Sequence, residues 1–253
     1  FSLFFIMKIV SVPMINALGL KGPEEAPEKI LSELNLDSEK VEIDNSDIKK
    51  SGEAIYSKSK DIFGKEERVV FIGGDHSITF PIFKAFQEEY NDPFLIVFDA
   101  HADCMSPMKE PTHEEFLRGI IENGFSPENV ILIGVRKIER EEKKFLEEKG
   151  IKVFSEIYDL EAVGDFVTEK ALGKDIYVSV DIDVLDPSFA PGVSYSEPNG
   201  LLSKELFYLL RRIFRIKSLK ALDVVEVIPS KDLKYDYRTV KVAAKIIDDF
   251  LKS

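Results

Sequence analysis

The chain has 253 residues, of which 44% are hydrophobic and 32% are charged, and its formal net charge is −12. This composition provides enough apolar material for one sizeable core, and the interspersed charges are not those of a disordered chain. Without a basic stripe, the acidic chain is not expected to bind nucleic acid, and no stretch is long and apolar enough to predict a membrane partner.

Residues 1–6, all apolar except one serine, precede Met7. They are too few for the apolar region of a signal peptide. We therefore expect a single domain over 7–253, with 1–6 as an extension outside the core fold; the alternative is a lengthened first strand. The single cysteine, Cys104, excludes an internal disulfide and fits a reducing cytoplasm, the expected location.

Apolar runs of strand length recur along the chain, and helical patterns separate them. The predicted strands lie at 8–14, 40–43, 68–73, 94–99, 130–135, 151–155, 176–181 and 220–227. The predicted helices lie at 22–34, 77–90, 113–124, 137–150, 203–214 and 237–253. Several strands are continuous Val/Ile/Phe runs, which is typical of parallel strands covered on both faces. The alternation predicts an α/β fold with one doubly wound sheet.

Ionisable side chains cluster where the predicted strands end, which is where open α/β sheets bind their ligands. Those nearest the strand ends are two imidazoles and four carboxylates: His76, His101, Asp99, Asp103, Asp181 and Asp183. Oxygen-rich sites with one or two imidazoles suit Mn²⁺ better than metals that prefer thiolates. Six such ligands would hold two metals if two carboxylates bridge them.

Each feature alone also has an ordinary structural explanation. A lone histidine at a strand end is more often satisfied within the protein than a metal ligand. Asp75 and Asp186 could be helix N-caps, and Glu226 could form an ion pair at the end of its strand. His113 reads equally well as part of a helix start. However, two of the three histidines lie inside acidic clusters, which favours the metal site.

Several segments together resemble the ureohydrolase family, which includes arginase, agmatinase, guanidinobutyrase and formiminoglutamase. Its three signatures are similar to "GGDHS" at 73–77, "DAHAD" at 99–103 and "SVDIDVLDPSFAPG" at 179–192. Further similarity lies at 19–30, 222–229 and 236–247, so the resemblance covers nearly the whole chain from Met7. It implies a three-layer α/β/α fold with a mostly parallel eight-stranded sheet.

The resemblance also implies a binuclear manganese hydrolase acting on linear amidines. Two Mn²⁺ per subunit would be held by His76 and Asp103 at the first site, His101 and Asp183 at the second, and Asp99 and Asp181 as bridges. Asp103 would also orient a bridging hydroxide that attacks the guanidinium carbon. Glu226 matches the family carboxylate that pairs with the substrate guanidinium, and His113 would shuttle protons or contact the substrate. Cys104 is expected to be a buried spectator.

The loop at 104–113 bears on the substrate. It contains no Asn, and Ser106 is not placed as in arginases, which disfavours L-arginine. The stretch at 196–201 resembles agmatinases, so the expected reaction converts agmatine to putrescine and urea, a step of polyamine biosynthesis. The partner would then be a cationic guanidino compound, and the resemblance implies a homo-oligomer, either a trimer or a hexamer.

Alternatives remain open at this point. The turn at 190–194 resembles formiminoglutamases, in which Arg136 could bind a substrate carboxylate; otherwise Arg136 belongs to a surface helix start. Guanidinobutyrate or a longer aminopropyl-agmatine could also be the substrate. A metal-binding homologue without activity is the remaining alternative.

Overall fold

The computed structural model describes residues 7–16, 19 and 21–253, so the expected extension at 1–6 lies outside the described residues. In this part of the chain, eight strands form one all-parallel sheet in the order β2-β1-β3-β8-β7-β4-β5-β6. The strands are β1 Lys8–Val12, β2 Glu39–Lys40, β3 Val69–Gly73, β4 Pro93–Phe98, β5 Val130–Ile133, β6 Lys152–Phe154, β7 Asp175–Asp181 and β8 Leu219–Val225. The predicted parallel sheet is thus confirmed. Seven strands differ from the prediction only at their ends, whereas β2 shares only Lys40 with the strand predicted at 40–43.

Nine α-helices are present in the described ranges, each lying on one face of the sheet or at its edge. They are α1 Ala26–Leu34, α2 Ile48–Phe63, α3 Thr79–Glu89, α4 Phe116–Glu122, α5 Arg140–Lys149, α6 Leu160–Lys170, α7 Ser203–Phe214, α8 Pro229–Asp232 and α9 Arg238–Leu251. None of these helices is long and apolar enough to cross a membrane.

Three helices, the four-residue α8 and the longer α2 and α6, were not predicted from the sequence. The buried positions of α2 are Ser51, Ile55, Ser59, Ile62 and Phe63, so small polar residues occupy part of its helical spacing. That dilutes the apolar period on which helix prediction rests. In α6 the buried face includes Gly164, which lies against Arg212 of α7, so part of the contact comes from a residue without a side chain.

Two hydrophobic cores lie on opposite faces of the sheet and make the fold three-layered, as expected. Along β3, Val70 and Ile72 point into the core that α1, α6, α7 and α9 cover. Val69 and Phe71 point into the other core, covered by α2, α3, α4 and α5. Burial on both faces explains why the strands are continuous apolar runs. The chain is a single α/β domain.

The four central strands, β3, β8, β7 and β4, are neighbours, and their carboxyl ends meet at one edge of the sheet. The backbone is tightly packed at this edge. A Cβ on Gly74 would lie 1.9 Å from the carbonyl oxygen of Met14, so no other residue fits there. The Gly74 carbonyl accepts a hydrogen bond from the Glu226 amide at 2.9 Å, which ties the loop after β3 to the end of β8.

Candidate metal centre

The six predicted ligands converge at the carboxyl ends of β3, β4 and β7. They include two groups, His76 with Asp99 and Asp181, and Asp99 with His101 and Asp183, whose ligand atoms lie within 4.8 Å of one another in each group. Asp99 belongs to both groups. Asp181 belongs to the first group only, so Asp99 is the carboxylate common to both groups.

In the first group, His76 Nδ1 lies 3.0 Å from Asp99 Oδ2, 3.1 Å from Asp103 Oδ2 and 3.5 Å from Asp181 Oδ2. In the second group, His101 Nδ1 lies 3.0 Å from Asp183 Oδ2 and 3.5 Å from Asp99 Oδ1. Each imidazole therefore presents Nδ1 to carboxylate oxygens. Asp103 accompanies the first group, where it was predicted.

Backbone amides hold one oxygen of several carboxylates and leave the other oxygen for the cluster. The His101 amide donates to Asp99 Oδ1 at 2.7 Å, and the Asp183 amide donates to Asp181 Oδ1 at 2.8 Å. By contrast, Asp99 Oδ2 and His76 Nδ1 are buried, face each other at 3.0 Å, and have no hydrogen-bond partner outside the cluster among the described residues. Buried polar atoms left in this way fit a cation, because otherwise their burial is costly.

Two residues of the site adopt left-handed backbone conformations, which side chains other than glycine rarely do. Asp103 has φ 49° and Glu226 has φ 65°. Such conformations cost about 1–3 kcal/mol each and concentrate at functional sites, where the surrounding structure enforces them. Here they direct both carboxylates into the cluster. No sequence pattern indicated this.

The cluster of buried acids changes the pKa values of its members. Burial, followed by repulsion from Asp99, raises the pKa of Asp103 well above its usual range. The pKa of Asp181 is also raised well above its usual range, by burial and then by repulsion from Asp183. Burial alone would lower the pKa of His101, but Asp183 and Asp99 raise it to about 12. The metal-free cluster therefore holds protons, which a bound cation must displace.

A second layer of buried groups supports His76, and the sequence analysis missed it. Asp223 accepts hydrogen bonds from the hydroxyls of Tyr177 at 2.6 Å, Ser179 at 2.6 Å and Thr79 at 2.8 Å. Because the Ser179 hydroxyl donates to Asp223, it accepts from His76 Nε2, 2.9 Å away. This fixes the tautomer in which Nδ1 is free to bind a metal. The one available signal was Asp223 itself, an acid inside an apolar strand.

Replacing Ser179 with Ala is expected to weaken metal binding at the His76 group by about 10–100-fold, the usual effect of losing such support. Without the hydroxyl, the His76 tautomer is no longer fixed. Calorimetric titration with Mn²⁺ measures the affinity. Ser59→Ala is a matched control, because Ser59 is equally buried and its hydroxyl has no partner among the described residues. Equal affinities for both variants would contradict the role of Ser179.

Glu226 lies beside the metal cluster and is buried. Its Oε1 accepts a hydrogen bond from the His76 amide at 2.9 Å, and within the described ranges no Lys or Arg pairs with it. The alternative of a strand-end ion pair is therefore not observed. Burial and the neighbouring Asp75 raise the pKa of Glu226 well above its usual range, which is the behaviour of a buried acid lacking a cation.

His113 lies in the turn before α4 and lines the same cavity as the cluster. Its residue is 8% exposed, and neither ring nitrogen has a hydrogen-bond partner among the described residues. The helix begins at Phe116 with Glu115 at its N-cap, so His113 does not cap it. A buried imidazole with both nitrogens free fits a substrate contact better than the alternative of an ordinary helix start.

Arg136 is placed differently from both predictions made for it. Its guanidinium donates to the backbone carbonyls of Gly134, Asp183, Val184, Leu185, Glu197 and Pro198 at 2.7–3.3 Å. It therefore neither reaches a substrate carboxylate nor begins a surface helix. Instead it fastens the 183–198 loop, which carries Asp183.

The remaining predictions concern three residues near the cluster. Cys104 is fully buried, as expected of a spectator, and its amide donates to Glu142. Asp75 caps the short 3₁₀ helix that begins with His76, so its N-cap explanation holds. Asp186 instead accepts from the amides of Ser188 and Asn199 in a turn and caps no helix.

The cluster forms the floor of a cavity of about 340 Å³. Its upper wall consists of residues that the sequence analysis did not identify as site residues. They are Met105, Glu114, Lys137, Glu139, Glu142, Tyr195 and Glu197. These residues come from three separate loops and, in the case of Glu142, from the first turn of α5, so no single motif could have marked them.

Comparisons with known proteins agree with this arrangement. Residues 9–252 match the arginase family. The chain belongs to the arginase family. An agmatinase of Bacillus subtilis is 32% identical over 239 residues, covering 93% of this chain and 81% of that protein.

Two further proteins are similar to this chain. The N(1)-aminopropylagmatine ureohydrolase of Thermus thermophilus is 33% identical over 166 residues, covering 64% of this chain and 55% of that protein. The solved structure of proclavaminate amidino hydrolase from Streptomyces clavuligerus superposes with a TM-score of 0.88 at 25% identity, covering 97% of this chain and 90% of that one. As an arginase-family member the chain is a hydrolase.

Proposed function

We propose that this protein hydrolyses a C–N bond of an alkylguanidine with two Mn²⁺ per subunit, and that its substrate is agmatine, converted to putrescine and urea. The observation that carries the proposal is the pair of His/Asp groups sharing Asp99, with the unpaired Glu226 carboxylate beside them. A metal cluster supports hydrolysis, and a free buried carboxylate supports binding of a planar cation.

The ligand set fits manganese, since it combines carboxylates with two imidazoles and includes no thiolate. When bound, two such ions lower the pKa of water so that hydroxide forms near neutral pH. His76 and Asp103 would hold one ion, His101 and Asp183 the other, with Asp99 and Asp181 between them.

The chain's own residues bind and orient the substrate. Glu226 pairs with the guanidinium through charge-assisted hydrogen bonds and places its carbon above the floor of the cavity. That pairing also neutralises the buried acid, whose pKa is otherwise raised. Asp103 accepts a hydrogen bond from the attacking group and orients it.

The leaving amine must gain a proton as the tetrahedral carbon collapses. His113 is placed to supply it, because its imidazole lines the cavity with both nitrogens free. An imidazole gives and takes protons readily near neutral pH. Urea and the amine are then released.

Two observations support agmatine over substrates with a carboxylate. The agmatinase of Bacillus subtilis is 32% identical over 93% of this chain. In addition, Arg136, the candidate for a carboxylate partner, is fully engaged with backbone carbonyls. The aminopropylagmatine relative favours a longer amine as the second candidate. We also propose a cytoplasmic homo-oligomer, a trimer or hexamer, on the family resemblance and on the single, buried Cys104.

The test is product release by the Mn²⁺-loaded protein from a panel of agmatine, aminopropyl-agmatine, guanidinobutyrate, L-arginine and formiminoglutamate, with formamide measured for the last. Turnover of agmatine above the others is expected. Preference for another guanidine would keep the reaction and replace the substrate. No turnover at all, with Mn²⁺ shown bound, would overturn the proposal.

A further inference from the structure

The mouth of the cavity is built around Tyr195, whose residue is 46% exposed. Its ring centroid lies 6.0 Å from that of His101 and 6.0 Å from that of His113, to which it is nearly parallel at 17°. The three rings line the path from the metal cluster to solvent. A chain extending outward from the cluster must therefore pass the Tyr195 ring.

A carboxylate lies on each side of this path. Glu197 Oε1 is 3.9 Å from His101 Nε2, and Glu114 Oε1 is 3.9 Å from His113 Nε2. Neither acid is paired with a Lys or Arg in the part of the chain that the structure describes.

A third carboxylate at the mouth, Glu139, differs because it is paired. Lys137 Nζ lies 2.9 Å from Glu139 Oε1, so these two charges cancel locally. Glu142, the remaining acid of the upper wall, is buried and accepts hydrogen bonds from the amides of Cys104 and Glu139. The accessible unpaired charge at the mouth therefore comes from Glu114 and Glu197 and is negative. An ammonium group would be attracted there and a carboxylate repelled.

We propose that Tyr195, with Glu197 and Glu114 beside it, forms the subsite that recognises the ammonium end of the substrate tail. The face of a tyrosine ring attracts an ammonium ion, and the adjoining carboxylates accept its hydrogen bonds. The free nitrogens of the nine-tenths buried His113 mark the cavity beneath as a ligand site. The subsite rests on the proposed function, because a guanidinium held by Glu226 directs the tail toward it.

The backbone of Glu197 is also fixed by a hydrogen bond on the side away from the cavity mouth. Its backbone carbonyl accepts from Arg136 Nη2 at 2.9 Å, so the carboxylate projects from a fastened loop. An acid fixed in this way loses less freedom when it binds a cation than one on a mobile loop would. We therefore expect Glu197 to contribute more than Glu114, which is half exposed.

The experiment compares agmatine with pentylguanidine, in which a methyl group replaces the ammonium. The native Mn²⁺-loaded protein should prefer agmatine in kcat/KM by about tenfold or more, the value of hydrogen bonds to a charged group. Glu197→Gln should remove most of that preference through KM. Tyr195→Leu should reduce it by about threefold, as expected for an exposed cation–π contact, while Tyr195→Phe should retain it.

Glu139→Gln is the matched control, because it removes the carboxylate that Lys137 already neutralises; its preference should change less than about twofold, as for a surface pair. Bound Mn²⁺ is counted in every variant, since Glu197 also lies near His101. Equal losses for agmatine and pentylguanidine in Glu197→Gln would overturn the subsite.

If the native protein hydrolyses neither guanidine, the proposed function fails, and calorimetric titration of the same pair tests the subsite alone. Tighter binding of agmatine that Glu197→Gln abolishes would support the subsite. Equal binding of the two compounds would overturn it.

Discussion

Replacing Asp99 with Asn is expected to abolish hydrolysis. Asp99 is the carboxylate shared by both His/Asp groups, and an amide in its place removes the negative charge that both metal positions use. Losing metal-based stabilisation of several kcal/mol corresponds to a fall in kcat on the order of 10³-fold or more. Urea release measures the activity, and elemental analysis after dialysis at fixed free Mn²⁺ measures the metal bound per subunit.

Asp92→Asn provides the control for this substitution. Asp92 lies just before the other end of the same strand, β4, where it forms an exposed ion pair with Lys174. Its loss should leave metal content and kcat unchanged, because exposed ion pairs contribute little. If Asp99→Asn kept two bound metals and at least a tenth of native turnover, the shared position of Asp99 would not matter for the reaction.

Replacing Glu226 with Gln is expected to lower kcat/KM for agmatine by about 10²–10³-fold, which is the cost of removing one partner from a buried, hydrogen-bonded charge pair. The side-chain volume is kept, and the amide oxygen can still accept from the His76 amide. The metal content should therefore stay at the native value. Steady-state urea kinetics and elemental analysis together separate substrate binding from metal binding.

Glu226→Asp distinguishes charge from reach, because it keeps the carboxylate and shortens the side chain by one methylene. We expect its kcat/KM to lie between the native and Gln values. Native kcat/KM in Glu226→Gln would show that the guanidinium pairs with a different group. A parallel loss of Mn²⁺ in Glu226→Gln would instead make Glu226 a support of the metal cluster.

The central part of the fold could be predicted because a strand buried on both faces is a continuous run of apolar residues in the sequence. The segments 68–73 and 94–99 are such runs. The polar residues that follow each run correctly predicted the sheet edge at which the cluster lies. Helix α2 was not predicted because serines occupy two of the five buried positions on it. The buried positions have helical spacing, but not all of them are apolar, so the apolar pattern alone did not indicate a helix.

The supporting parts of the site could not be predicted for a different reason: they depend on contacts across the chain. The Ser179–Asp223 hydrogen bond joins neighbouring strands separated by 44 positions in sequence. The Tyr195 wall stands between two histidines from other loops. Arg136 is the clearest case in which the sequence position did not predict the contact. A substrate contact was one of the predictions for it, but its guanidinium instead binds backbone carbonyls of a loop.

The crowding of buried acids around His76 and His101 has a consequence for the lifetime of the protein. Because the pKa values of Asp103 and Asp181 are raised, the empty cluster weakens the native state, and an ion bound only by the folded chain restores that loss. We therefore expect supply of the proposed cation to raise resistance to heat and to proteolysis as well as turnover. Subunits starved of metal would be the first to be degraded, so that the surviving population is largely the loaded one.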